Sequence, residues 1–392
     1  MLKNSDLVSS VNREWKGRFP KNEIISLLDV NRRLNLAEST SQDFHFGELL
    51  DLVGYDRVKD IRLGYGSAQG TKSLCDEVAS MYGITSDCIV STQGTALALY
   101  LLSVELCRPG DEAVIFTPCF PPSRDAMVGS GVSLIEVPLK FEDGYQVNLE
   151  EFAANLTAET KLVSLATPQN PAGVATSQDT ILKMLDVMTR VAPGAFLFID
   201  ETYANATYGN AEPPTSFAGL HPRIITGGSV SKAFGAPGLR VGWMTTSDPE
   251  LRSRLVTAKM NMVISGSPLN ETLAALILRN RGAVLGPRRV MLGEAINLVA
   301  DWQARNTSRV SWIRPDGGAM CCLRLKEEAF SDQAVQEFWQ VLPELDLQLA
   351  SGSWFGETSR VFRLGFGYLP LDTLVEALQN LETALISKGS TS

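Results

Sequence analysis

One lysine sits where it could do covalent chemistry. Lys232 lies in the run Gly228-Ser229-Val230-Ser231-Lys232-Ala233-Phe234-Gly235-Ala236-Pro237-Gly238-Leu239-Arg240-Val241-Gly242-Trp243. Its neighbours are small or carry hydroxyls, and a short apolar run precedes and follows it. An amine so placed can attack a carbonyl and form a Schiff base. Ser229 and Arg240 flank it and could together bind a phosphate, Arg240 through its planar fork. Taken alone, a solvated surface-loop lysine is the plainer reading.

Three other loops carry polar residues of fitting types. In Ser91-Thr92-Gln93-Gly94-Thr95-Ala96, Gly94 allows close approach of the backbone to an anion. The apolar helix that follows would offer free N–H groups at its positive end, and Thr95 adds a hydroxyl. A simple Ser/Thr helix cap explains the same residues. In Thr167-Pro168-Gln169-Asn170-Pro171-Ala172-Gly173, Pro and Gly shape a turn that would aim the Asn170 amide across the strand ends. In Phe198-Ile199-Asp200-Glu201-Thr202-Tyr203, an acid closes an apolar strand. Burying it is costly without a partner, and a protonated heterocyclic nitrogen would serve; a capping aspartate is the rival.

These loops must be held by something. Apolar runs at 112–116, 161–166, 195–199, 223–226 and 241–246 read as strands, and stretches such as 94–107 and 178–191 between them read as helices. Continuous apolar strands alternating with helices predict a mostly parallel sheet covered on both faces, an α/β fold. In such sheets ligands sit beyond the carboxyl ends of the strands, where these loops lie. After about residue 285 the texture changes to a long helix (287–304), strands at 319–325 and 360–367, and a final helix with Leu371, Leu374, Leu378, Leu381 and Leu385 on one face. The expected division is an N-terminal arm or part of the small domain (1–45), a large domain (46–285) and a smaller α+β domain (286–392).

Bulk properties exclude several classes. The 392 residues carry a net charge of −9, which argues against a basic surface for nucleic acid or anionic lipid. Six cysteines form no CxxC pair and only two histidines are present, so zinc-ligand spacing is absent and no metal is expected. Cys119, near a strand end, reads either as a reactive thiol or, by the general rule for free cysteine, as a small buried hydrophobe. The N-terminus lacks the apolar core of a secretory signal, and the apolar run 97–102 is too short to span a bilayer. A cytoplasmic, soluble protein with no membrane partner is expected.

Considered together, the phosphate-type loop, the Asn, the Asp with a Tyr three residues on, and Ser-x-Ser-Lys followed by Arg occur in one order. That order resembles the fold-type I enzymes of the class I/II aminotransferase family, which use pyridoxal 5′-phosphate (PLP), over roughly residues 35–385. The resemblance implies a large domain with a mostly parallel sheet and a smaller α+β domain. It implies that Lys232 holds the cofactor and moves protons at the substrate Cα. Asp200 would pair with the ring nitrogen. Asn170 and Tyr203 would hydrogen-bond the ring oxygen. Gly94, Thr95, Ser229 and Arg240 would hold the phosphate, and Phe120 would stack on the ring unless it is core packing. Arg363, in Phe362-Arg363-Leu364-Gly365, would grip the substrate carboxylate unless it makes a structural salt bridge. Tyr65, in Leu63-Gly64-Tyr65-Gly66, would reach the phosphate of a neighbouring subunit, which implies a homodimer with shared sites.

A narrower likeness is carried by Ala37-Glu38-Ser39-Thr40 followed by Phe46-Gly47-Glu48-Leu49. This segment looks like capreomycidine synthase and its relatives, which eliminate and cyclise on the same scaffold. Where many aminotransferases place a glycine-rich segment, this chain has Leu36-Ala37-Glu38-Ser39-Thr40; Glu38 could meet a cationic substrate side chain or be a solvated loop acid. The expected activity is therefore amino-group exchange between an amino acid and a 2-oxo acid. A lyase/cyclase is the alternative, and an oxidase of a cationic amino acid such as arginine is a further one. A ligand-sensing regulator would need a DNA-binding module, and the roughly 45 residues before the matching region lack a basic recognition helix.

Overall fold

Alternate residues along the central apolar strands bury to opposite sides, and this sets the architecture. The computed structural model describes residues 17–21, 23–26, 30 and 32–389. Its strands are, in chain order, β1 (Leu34–Asn35), β2 (Ile89–Thr92), β3 (Glu112–Thr117), β4 (Ser133–Pro138), β5 (Thr160–Ala166), β6 (Phe196–Asp200), β7 (Ile224–Ser229), β8 (Gly242–Thr245), β9 (Val310–Ile313), β10 (Met320–Leu325), β11 (Leu347–Gln348), β12 (Ala350–Ser351) and β13 (Val361–Gly365). Seven of them form one sheet in the order β2-β8-β7-β6-β5-β3-β4. All neighbours pair in parallel except those of β8, which is antiparallel to both β2 and β7.

On β3, Ala113 and Ile115 pack with Leu162, Phe198 and Ile225 against the helix Thr95–Leu106 through Ala98, Leu99 and Leu102. Val114 and Phe116 pack with Val163, Leu165 and Leu197 against the helix Gln178–Val191 through Ile181, Met184 and Met188. With both faces covered, these strands need apolar residues throughout, which is why they were legible as unbroken runs. Truncating a core side chain such as Ile115 to Ala is expected to cost about 2–5 kcal/mol. The helix Gln178–Val191 starts where it does because Ser177 Oγ accepts from the Thr180 N–H at 3.1 Å. The final helix, Leu371–Lys388, buries Leu374, Leu378, Leu381 and Leu385 as the stripe predicts.

A second, antiparallel sheet runs β12-β13-β10-β9, and β1 pairs in parallel with β11. The 1–16 stretch expected as part of an arm lies outside the described residues. Residues 34–44, by contrast, form an extended connector between the two halves. Leu36 donates to Gln348 O at 2.9 Å and accepts from Gly365 N–H at 2.7 Å; farther on, Phe44 donates to Gly235 O at 2.6 Å. The connector presses so closely on β13 that a Cβ at Gly365 would stand 1.6 Å from the Glu38 carbonyl oxygen. Only glycine fits there. Among the described residues no helix is long and apolar enough to cross a membrane, and no group of His, Cys, Asp and Glu is placed to hold a metal ion.

Candidate active site

The carboxyl ends of β5, β6 and β7 deliver three of the expected residues to one small cavity. Asn170 follows β5, Asp200 ends β6 and Lys232 lies just after β7. The cavity is lined by all three and by Thr95, Phe120, Tyr203 and Cys119. Phe120 forms part of its wall, at the turn into the helix Pro121–Ser130.

Asp200 accepts from the Thr202 N–H at 2.9 Å. Desolvation nevertheless pushes its carboxyl above the usual aspartate range, against hydrogen bonds from Thr202 and Thr95 and the nearby charge of Lys232. No direct ion pair joins Asp200 to Lys232 among the described residues. A carboxylate held this way would be stabilised by a cation entering the cavity.

Arg363 stands on β13, almost fully buried at 2% exposure. Its Nη1 donates to Asn170 Oδ1 at 2.9 Å and its Nη2 to Ala37 O at 2.5 Å. The guanidinium lies 4.8 Å from the Phe355 ring centroid, and its Nε has no partner. Burial lowers its pKa, while Tyr203, Glu38 and Cys322 oppose the shift. A buried guanidinium without a carboxylate bonded to it is suited to receive one from a ligand. Asn170 in turn donates through Nδ2 to the Tyr203 hydroxyl at 3.1 Å. Glu38 is half-buried, and its charge reaches Arg363 and Tyr368.

The phosphate-type residues converge as well. Gly94 opens the helix Thr95–Leu106 with φ +89°, and a Cβ there would come within 3.0 Å of Arg240 Nη2. Gly242 is pressed against Gly94 in turn, 2.8 Å from its Cα to any added Cβ. Arg240 itself adopts φ +53°, which turns its side chain back toward Gln93 O at 3.4 Å. Ser229, at the end of β7, is buried. Thr95 is engaged with Asp200 and, at 3.4 Å, with the Thr202 hydroxyl. A helix N-terminus with an exposed guanidinium beside it is an anion cradle. A planar, carbonyl-bearing heterocycle with a phosphate arm fits this set: Gly94 and Arg240 would hold the phosphate, Phe120 would flank the ring, Asp200 would meet a ring nitrogen and Lys232 the carbonyl.

Tyr65 is 87% exposed and does not line the cavity of its own chain. Cys119 lines the cavity and is half-buried, and desolvation pushes its thiol up to about 12, away from the thiolate form. One residue went unassigned from sequence. Ser39 is buried; its hydroxyl lies 3.0 Å from Tyr203 OH and accepts from Lys232 Nζ at 3.3 Å. Its segment was recognisable as unusual, but nothing in it signalled a contact with a lysine nearly two hundred positions away.

Comparison with known proteins gives a consistent family. A family model described as aminotransferase class I and II matches residues 57–389. Capreomycidine synthase of Streptomyces vinaceus is 28% identical over 342 residues, 85% of each chain. The arginine–pyruvate transaminase AruH of Pseudomonas aeruginosa is 24% identical over 302 residues, 75% of each chain. Among solved structures, a PLP-dependent aminotransferase from Streptococcus suis superposes with a TM-score of 0.84 at 22% identity, covering 95% of this chain and all of that one. The PLP-dependent cyclase OrfR gives the same TM-score and identity, covering 97% of this chain and 100% of its own. These two structural likenesses establish the fold.

Proposed function

We propose, on the premise that the chain belongs to the class I and II aminotransferase family, that it transfers the amino group of an amino acid to a 2-oxo acid with Lys232 as its cofactor-holding residue. The observation that carries this is the cavity itself, with an amine at Lys232, an acid at Asp200 and a buried, carboxylate-ready Arg363 reached through Asn170. The cofactor is pyridoxal 5′-phosphate, which when bound supplies the sink for electrons released at the substrate Cα.

The protein's own groups do the rest. Gly94, Ser229 and Arg240 hold the phosphate, with Thr95 at the same helix start. Asp200 keeps the ring nitrogen protonated, which its desolvated carboxylate favours. Phe120 fixes the ring plane. Asn170 and Tyr203 donate toward the ring oxygen. Arg363 takes the substrate carboxylate in its fork and so orients the bonds at Cα. Lys232, once free, removes and returns the proton there.

A homodimer with shared sites is part of this reading. Tyr65 is too exposed to serve its own cavity, and its loop lies near the end of a helix with exposed apolar residues: a Cβ on Gly66 would stand 3.2 Å from Pro268, four residues beyond Ile264, which is 53% exposed. A second copy covering this face would give Tyr65 a site to complete.

A lyase/cyclase acting on a cationic amino acid is the second reading. It is favoured by the half-buried Glu38 beside Arg363 and by the 28% identity to capreomycidine synthase. The two are separated by incubating holoenzyme with a panel of amino acids, with and without 2-oxoglutarate, and identifying products by mass spectrometry. Keto-acid formation that requires the oxo acid supports transfer. A dehydrated or cyclised product without the oxo acid overturns it in favour of the lyase.

A further inference from the structure

Four hydrogen bonds link Arg363 to Lys232 without a gap. Arg363 Nη1 donates to Asn170 Oδ1 at 2.9 Å, Asn170 Nδ2 donates to Tyr203 OH at 3.1 Å, Tyr203 OH meets Ser39 Oγ at 3.0 Å, and Lys232 Nζ donates to Ser39 Oγ at 3.3 Å. Every side chain between the two ends is buried. The Ser39 hydroxyl accepts from the amine, and either Ser39 or Tyr203 can supply the proton of the bond between them. Tyr203 accepts from Asn170.

Ser39 also decides where the amine rests. A lysine side chain has about 2 kcal/mol of rotamer freedom to lose. Asp200 attracts the same ammonium but makes no direct pair with it. The Tyr203 ring, 5.8 Å from Nζ to its centroid, flanks the amine without bonding it. The bond to Ser39 is therefore the one directional contact that Nζ makes among the described residues. Ser39 is fixed in turn by the connector: the Ala37 carbonyl is held by Arg363, and the Ser41 N–H donates to Lys232 O at 3.5 Å.

We infer that Ser39 is a positioning residue for Lys232: its hydroxyl holds the amine at the cavity wall, where it can meet an incoming aldehyde. This rests on the proposed role of Lys232. The step it assists is condensation of the amine with the aldehyde of pyridoxal 5′-phosphate. The ammonium first gives one proton to solvent; the freed Nζ lone pair forms the bond to the aldehyde carbon, and the carbonyl oxygen leaves as water with the two remaining amine protons. No electron donor or acceptor is needed.

The test follows the bond itself and needs no substrate. Cofactor-free protein is mixed with pyridoxal 5′-phosphate in a stopped-flow instrument, and the visible band near ~400 nm is timed. Ser39→Ala is expected to slow its appearance roughly tenfold, the worth of one hydrogen bond to a charged group. Ser39→Thr, which keeps the hydroxyl, is expected to stay within about threefold of the parent chain. Parent-like rates in Ser39→Ala would overturn the inference. So would equal slowing in both variants, since that would mark a packing effect rather than the hydroxyl. If the parent chain itself gives no band, the role of Lys232 fails and the inference with it.

Discussion

Arg363 and Asn170 are bonded side chain to side chain at 2.9 Å although Arg363 lies on the smaller antiparallel sheet and Asn170 in the loop after β5 of the large one. The bond ties the candidate substrate-carboxylate site to the candidate ring-oxygen site. Arg363→Lys keeps a charge but loses the fork, and a point charge does not grip a carboxylate at two atoms. The expected outcome is a KM for the amino acid raised roughly tenfold to a hundredfold, with the cofactor band unchanged. Steady-state kinetics and an absorbance spectrum of the same sample check both halves.

The cradle at Gly94 predicts a phosphate-specific defect. A methyl at this position meets Arg240 and must also adopt φ +89°, which L-residues resist. Gly94→Ala and Arg240→Ala should each weaken pyridoxal 5′-phosphate by roughly tenfold or more. Pyridoxal, which lacks the phosphate, should bind the variants and the parent chain equally. Equilibrium titration with both compounds decides it.

Much of this arrangement was legible in the sequence. The strands β3, β5, β6 and β7 were readable because burial on both faces demands apolar residues without interruption. The strand β4 was not, because it is the sheet edge and most of Ser133–Pro138 is not buried. The strand β2 has only Ile89 and Val90 before its polar residues. Asn170, Asp200 and Lys232, which line one cavity, stood out because their chemistry and loop positions coincide. Ser39 was missed because its contact depends on how the connector threads past Gly365. Lys259 shows the same blind spot: nothing in the sequence set it apart, yet it is fully buried and donates to Ser91 Oγ at 2.7 Å.

Glu201 gives a stability signature that is independent of activity. Burial raises its pKa from 4.5 to about 7, against hydrogen bonds from Ser216 and Phe217. The folded chain therefore holds a proton that the unfolded chain has released between those values. Stability is fully present below pH ~4.5 and is lost as pH rises through about 7. Asp200 contributes in the same direction over a window that starts at its own unfolded value. In cofactor-free protein, Glu201→Gln should flatten the fall in melting temperature between pH ~5 and ~7 that the parent chain displays. Thermal melts across that range read it directly.

Glu38 offers a test of substrate charge. If its carboxylate meets a cationic side chain, Glu38→Gln raises the KM for L-arginine by roughly tenfold and leaves that for L-alanine within about twofold. An equal change for both amino acids would assign Glu38 to structure.

Tyr65 predicts a complementation. If two copies share their sites as proposed, a Lys232→Ala chain and a Tyr65→Ala chain are each impaired by themselves. In the mixed dimer, the site on the Tyr65→Ala chain has its own Lys232 and receives Tyr65 from the other subunit. Activity should reappear on mixing under conditions that exchange subunits, and its absence in verified mixed dimers would place Tyr65 outside the site.

Lys232 is expected to form the covalent link to pyridoxal 5′-phosphate. Reducing the holoenzyme with borohydride makes that link permanent, and peptide mass spectrometry then locates it. The phosphopyridoxyl group is expected on Lys232 in the parent chain and is expected to be lost in Lys232→Ala. Modification of another lysine, or a band near ~400 nm that persists in Lys232→Ala, would contradict it.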